Sequence, residues 1–82
     1  MALQLLNTVR RDQILSNSLD MVREGGFAAL SLPGIAARCD CGLSTIKRHF
    51  RNREVLCRAL VSYAEMQGDG KTVETGRRLF PA

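Results

Sequence analysis

Three cysteines and one histidine are the side chains of this sequence best suited to metal binding or nucleophilic chemistry: Cys39, Cys41, Cys57 and His49. Zinc sites in small domains usually pair ligands that are separated by about two to five residues. A Cys-x-Cys pair with one distant cysteine does not match those spacings, and no nucleophile pattern accompanies the histidine. We therefore expect no metal site, no cofactor and no enzymatic activity.

The basic residues are concentrated in one segment. Residues 41–58 carry five basic side chains against the single acid Glu54, a net charge of +4. That equals the net charge of the whole chain, because residues 1–40 and 59–82 each sum to zero. Such a concentration is typical of a surface that binds phosphates; the alternative is a solvated helix face. The five basic residues are Lys47, Arg48, Arg51, Arg53 and Arg58.

Apolar spacing and capping residues predict the elements that would position this segment. No alternating or βαβ pattern is present, so the expected fold is all-α, a small bundle of about four helices. Thr8, Ser31 and Asn52 are the expected N-caps, and Gly25-Gly26 ends the first helix. The predicted helices run over residues 8–24, 32–39, 42–50 and 53–66.

The second and third predicted helices, joined by a turn at Asp40, form a helix-turn-helix. Ile46 and Phe50 are four residues apart and would face the core. The hydroxyls of Ser44 and Thr45 would then reach base edges in the major groove. Phosphates would be contacted by Lys47, Arg48 and His49. Three-helix bundles that do not bind DNA share this pattern.

Length and composition fit one small domain. The chain has 82 residues, of which 45% are hydrophobic and 24% charged. We expect the helix-turn-helix domain over 8–66 and a polar tail over 67–82, where Leu79-Phe80 would be either disordered or a dimerisation element. Apolar runs are too short for a membrane span or a signal peptide, so we expect a cytoplasmic protein.

The stretch ILSNSLDMVREGGFAALSLPGIAARCDCGLSTIKRHFRNREVL carries a family resemblance. It resembles the DNA-binding domain of the tetracycline-repressor (TetR) family of bacterial transcription regulators. The matching residues run without a gap from Ile14 to about Leu60. They include Gly26-Phe27, Ile35-Ala36, Thr45-Ile46, His49-Phe50 and Asn52-Arg53-Glu54 at fixed spacing.

The resemblance implies residue roles. Leu43, Ser44 and Thr45 occupy positions that face bases, whereas Ser31, Lys47, His49 and Arg53 occupy positions close to DNA phosphates. This sequence departs from the family pattern with Asp40 for glycine, Gly42 for a hydroxyl residue, Lys47 for tyrosine and Pro33 for a polar or basic residue. Gly42 therefore lacks a capping hydroxyl at the start of the recognition helix.

The resemblance also implies a function. We expect a DNA-binding repressor that acts as a homodimer on an inverted-repeat operator in double-stranded DNA. Family members usually carry a second helical domain that binds an inducer; this chain ends about where that domain would begin, so no small-molecule inducer is expected. A plasmid or phage regulator would suit this size.

Two alternatives remain open. The chain could instead be a small helix-turn-helix protein that binds and inhibits a regulatory protein partner. Arg10 and Arg11 could form an arm at the DNA backbone or a solvated helix start.

Overall fold

The computed structural model describes residues 2–81, with side chains from Thr8 onward. It contains five α-helices and, between the first two, a single 3₁₀ turn over Phe27–Ala29. No strand occurs among residues 2–81, which confirms the all-α class. The helices are α1 (Ala2–Gly25), α2 (Leu32–Arg38), α3 (Leu43–His49), α4 (Arg53–Met66) and α5 (Gly70–Leu79).

The first helix begins earlier than the sequence predicted. It starts at Ala2 instead of after Thr8, so the assignment of Thr8 as N-cap is wrong. The residues before Thr8 include leucine and glutamine, which favour helix, and neither glycine nor proline interrupts them. Thr8 is therefore inside a continuous helix, and its capping preference is not used.

The other predicted caps are confirmed. The Ser31 hydroxyl accepts a hydrogen bond from the Gly34 amide at 3.1 Å, and the Asn52 side chain accepts one from the Val55 amide at 2.9 Å. Gly26, after α1, has a φ of 78°, a left-handed conformation that glycine adopts without steric cost. These caps fix where α2 and α4 begin, on either side of α3.

A single hydrophobic core joins the five helices, and Val73 is its member from α5. Ser18 is buried within it, and its hydroxyl donates a hydrogen bond of 2.6 Å to the carbonyl of Ile14, which satisfies the polar group. The core orients α3, because its inner face is anchored between the flanking helices. The large aliphatic and aromatic side chains that are almost fully buried in this core are Ile14, Leu15, Ile35, Ile46, Phe50, Leu56 and Leu60.

Helix α5 is the fifth helix, where the sequence predicted about four and left residues 67–82 as a polar tail. Asp69 caps it by accepting a hydrogen bond from the Thr72 amide. A Cβ at Gly76 would lie 2.3 Å from Cγ2 of Val61, so only glycine permits this close approach of α5 to α4. The two glycines in α5 disfavour helix, and tertiary packing overrides that preference.

Both ends of α5 contact the first half of the chain, the start through its N-cap Asp69 and the end through its C-cap Phe80. The Phe80 ring packs against Phe27 with centroids 5.6 Å apart. Arg23 of α1 donates a 2.9 Å hydrogen bond to the carboxylate of Asp69.

None of the helices in residues 2–81 combines the length and the apolar character needed to cross a membrane.

Candidate nucleic-acid interface

The turn between α2 and α3 has a defined geometry. Asp40, where the sequence predicted a turn, adopts a left-handed conformation with a φ of 55°. The amide of Cys41 donates a hydrogen bond of 3.0 Å to the carbonyl of Ala36, which ties the turn back to α2. These two features set the direction in which α3 leaves the turn.

Helix α3 has a buried side and an outward side. Ile46 is fully buried, and Phe50, the C-cap of α3, is 1% exposed. Both side chains therefore face the core as predicted. Leu43 is 38% exposed, so its methyl groups are accessible on the outward side of the helix. Ser44, Lys47 and Arg48 are exposed, whereas Thr45 and His49 are half-buried at the edge of the helix. The structure therefore brings the predicted base-facing and phosphate-facing residues of α3 to one surface.

Ser31 lies at the start of α2. Its side chain is exposed while its oxygen accepts the capping hydrogen bond from Gly34. A hydroxyl that accepts one hydrogen bond still has a proton to donate. Ser31 can therefore hold α2 in place and donate to a phosphate oxygen at the same time.

Arg53 has contacts that the sequence did not indicate. Its Nε donates a hydrogen bond of 2.9 Å to the carbonyl of Leu30, and its guanidinium also donates to the carbonyl of Phe27. Arg53 thus links the start of α4 to the loop before α2. No sequence pattern marks this link, because the partners are main-chain atoms more than twenty residues away. Its expected phosphate contact stays a prediction.

Charges are segregated on the surface. Five arginines of the described chain pair with acidic side chains, and none of these arginines is on α3. By contrast, Lys47, Arg48 and Arg51 have no ion pair with any acid of residues 8–81. The positive potential is therefore left uncompensated around α3. The paired arginines are Arg23, Arg38, Arg58, Arg77 and Arg78.

Two arginines of α1 extend this surface. The Cζ atom of Arg11 lies 5.1 Å from the centroid of the Phe50 ring, a cation–π contact. Arg10 is half-buried beside it. The sequence indicates which side of α1 they occupy, because Arg10 and Arg11 precede the buried Ile14 and Leu15 by four residues each, and residues four apart are neighbours on a helix.

His49 is surrounded by positive charge. Burial and the neighbouring Arg48, Arg10 and Arg11 hold the pKa of His49 below its ordinary value. The lowered pKa favours the neutral imidazole in the free protein. In that form it offers one N–H donor and one acceptor nitrogen.

The cysteines have a different environment. Cys57 is buried, Cys39 and Cys41 are half-buried, and all three are free thiols. Burial raises the pKa of the Cys39 and Cys57 thiols, which disfavours the reactive thiolate. Among the side chains that the structure describes, no three His, Cys, Asp or Glu residues converge as a metal site requires.

Comparison with known proteins identifies the family. The model for bacterial regulatory proteins of the tetR family matches residues 14–60, more than half of the 82-residue chain. The match runs from the core residues of α1 through the helix-turn-helix to Leu60 of α4. No curated protein and no solved structure gives a significant match. The matched region is a DNA-binding regulatory domain, and the chain belongs to the tetR family of bacterial regulatory proteins.

Proposed function

We propose that the chain is a transcriptional repressor that binds an inverted-repeat operator as a homodimer and excludes the transcription machinery sterically. The segregation of charge carries this proposal. Basic side chains around α3 lack acidic partners among the described residues, whereas basic side chains elsewhere on the surface are largely paired. Uncompensated Lys and Arg side chains beside an exposed helix suit a polyanion.

Side chains at the two edges of α3 divide the recognition between bases and backbone. Ser44 and Thr45, with the exposed methyl groups of Leu43, would contact base edges and thymine methyls. Phosphate oxygens would accept hydrogen bonds from the residues around them, which fixes the helix in its groove. These phosphate-facing residues are Ser31, Lys47, Arg48, His49 and Arg53.

The length of α3 supports the proposal of dimeric binding. A recognition helix of seven residues reads only a few base pairs, too few to specify one site in a genome. A two-fold dimer doubles the site and requires half-sites about 34–36 Å apart on the same face of DNA. The operator would then be an inverted repeat, bound in the cytoplasm of a bacterium, where plasmid or phage DNA is also accessible.

The test is an unbiased selection of genomic fragments with the purified full chain at 50 and 200 mM salt. We expect enrichment of a discrete inverted repeat. Retention should fall roughly 10³-fold or more between the two salt concentrations, as six to ten phosphate contacts require. A Thr45→Ala variant serves as the control for sequence selection, because it leaves every charge in place.

Two outcomes would overturn the proposal. If DNA fragments are retained only weakly and without sequence preference, the chain does not recognise a specific operator. Salt-independent capture of a protein instead of DNA would favour the alternative of a small helix-turn-helix protein that inhibits a regulatory partner, since apolar protein interfaces depend little on salt.

A further inference from the structure

Helix α1 places two arginines beside the C-terminal end of α3. The Cζ atom of Arg11 lies over the ring of Phe50, the C-cap of α3, at 5.1 Å from the ring centroid. Arg10 precedes Arg11 on α1 and is half-buried, and its positive charge contributes to a lower pKa at both His49 and Cys39. These contacts come from different helices, so the fold assembles the cluster.

The four members of this cluster are Arg10, Arg11, Arg48 and His49. None of them forms an ion pair with an acidic side chain in the part of the chain that the structure describes. The nearest acid in sequence, Asp12, lines a groove that Arg11 and Tyr63 of α4 also border, but it forms no ion pair with Arg11. The positive charges of the three arginines repel one another and disfavour protonation of His49. An anion bound near them would relieve that repulsion.

The stacking of Arg11 pre-orients its donors. A cation–π contact uses the flat face of the guanidinium and leaves the N–H groups at its edge free. Those N–H groups match the oxygens of a phosphate, which a guanidinium binds with two parallel hydrogen bonds. Arg11 therefore presents a partly immobilised phosphate donor with little entropy left to lose on binding.

We propose that Arg10 and Arg11 of α1, together with Arg48 and His49 of α3, form a phosphate-binding cluster that holds the DNA backbone at the C-terminal end of the recognition helix. The inference rests on the proposed DNA-binding function and adds α1 to the binding surface. The ligand is the phosphodiester backbone, so the contact is independent of base sequence.

The experiment measures the salt dependence of binding to a 20-base-pair duplex of unrelated sequence and to a duplex that carries the selected operator. Arg10→Gln and Arg11→Gln are compared with the unaltered full chain by fluorescence anisotropy. Each substitution should lower the slope of log K against log salt by about one for each bound protomer, on both duplexes. Arg10→Gln does not touch the Phe50 stack, and thermal unfolding of both variants checks that the fold is retained.

Arg78→Gln is the matched control. It removes the same charge from α5, where Arg78 is 74% exposed and paired with Glu74. We expect its slope to equal that of the unaltered chain. Arg11→Lys keeps the charge and loses the planar donor set, so it should retain the slope and bind more weakly.

The outcomes separate this inference from the proposed function. In one outcome the unaltered chain selects an operator while the Arg10→Gln and Arg11→Gln variants show its salt dependence unchanged. In that case the cluster does not bind phosphates, and the repressor proposal stands. If Arg78→Gln lowers the slope equally, net charge explains the effect and the cluster is again wrong. If the unaltered chain binds neither duplex, both proposals fall.

Discussion

The Nε of Arg53 donates a hydrogen bond of 2.9 Å to the main-chain carbonyl of Leu30, across 23 residues of sequence. Leu30 is buried next to Ser31, the cap of α2, so the bond connects the start of α4 with the start of α2. The loop that precedes the helix-turn-helix is therefore fixed by a side chain that follows it. An arginine expected at a phosphate position also stabilises the fold.

Replacing Arg53 with methionine should lower the free energy of unfolding by about 1.5–3 kcal/mol, since hydrogen bonds to a charged group contribute that much and two carbonyls lose their donor. Urea unfolding followed by circular dichroism measures the change. Arg51→Met is the matched control, because Arg51 is exposed and makes no hydrogen bond or ion pair with residues 8–81; it should change stability by less than about 0.5 kcal/mol. Equal stability of the two variants would show that the link contributes nothing.

Helix α3 is capped weakly, and this can be improved. Gly42 precedes α3 with φ −78° and ψ 155° and makes no side-chain cap hydrogen bond. A Cβ at this position would meet only the Ser44 hydroxyl, at 3.7 Å, an ordinary contact. Gly42→Ser should raise the free energy of unfolding by about 0.5–1 kcal/mol through a new cap and a less flexible unfolded chain.

Thermal unfolding measures that gain. Gly42→Ala isolates the chain-flexibility part, because it adds a Cβ without a hydroxyl and should gain less than Gly42→Ser. Gly26→Ala is the opposite control, since φ there is 78° and any side chain is strained. A serine variant no more stable than the alanine variant would contradict the cap.

The sequence indicated those features of the fold that depend on neighbouring residues. The caps Ser31 and Asn52 and the turn at Asp40 follow from interactions within a few residues and are confirmed. The cap assigned to Thr8 is wrong, because the helix continues through that residue. Helix α5 escaped prediction because its local preference is against helix, and it is held by contacts of Gly76 and Phe80 with distant elements.

The same distinction applies to the candidate site. The charge and the spacing of α3 were visible in the sequence, because they belong to one short segment. The link from Arg53 to Leu30 and the stacking of Arg11 on Phe50 join residues far apart in the chain. Such pairings arise from the packing of helices, which a local pattern does not encode.

Lys47 is expected to act on the DNA backbone. It is exposed and has no acidic partner among the described side chains. Lys47→Ala should weaken binding to operator and unrelated duplexes alike and lower the salt slope by about one for each protomer. Lys71→Ala, which removes the same charge from α5, should leave the slope unchanged. A Lys47→Ala slope equal to that of Lys71→Ala would exclude the phosphate contact.

Thr45 is expected to act on base edges. It lies half-buried in the first turn of α3, beside the exposed Ser44. Thr45→Ala removes a hydroxyl and a methyl without changing charge, so the preference for one or two base pairs should relax by about 1–3 kcal/mol each while the salt slope stays constant. Selection from a randomised-site library reads this out. Thr75→Ala on α5 is the control, and a Thr45→Ala library indistinguishable from it would refute base contact.

His49 should take up a proton when DNA binds. Burial and the charges of Arg48, Arg10 and Arg11 hold the pKa of His49 below its ordinary value in the free protein. A phosphate in the cluster favours the imidazolium and raises that pKa, so the bound state carries more proton than the free state. Affinity should therefore increase as the pH falls from 7.5 and level off once the free protein is protonated as well.

The chain has a single histidine, so a ring-proton NMR titration with and without duplex reads the two pKa values directly. His49→Gln should remove the pH dependence and keep the fold, and identical pKa values in the free and bound states would contradict the contact.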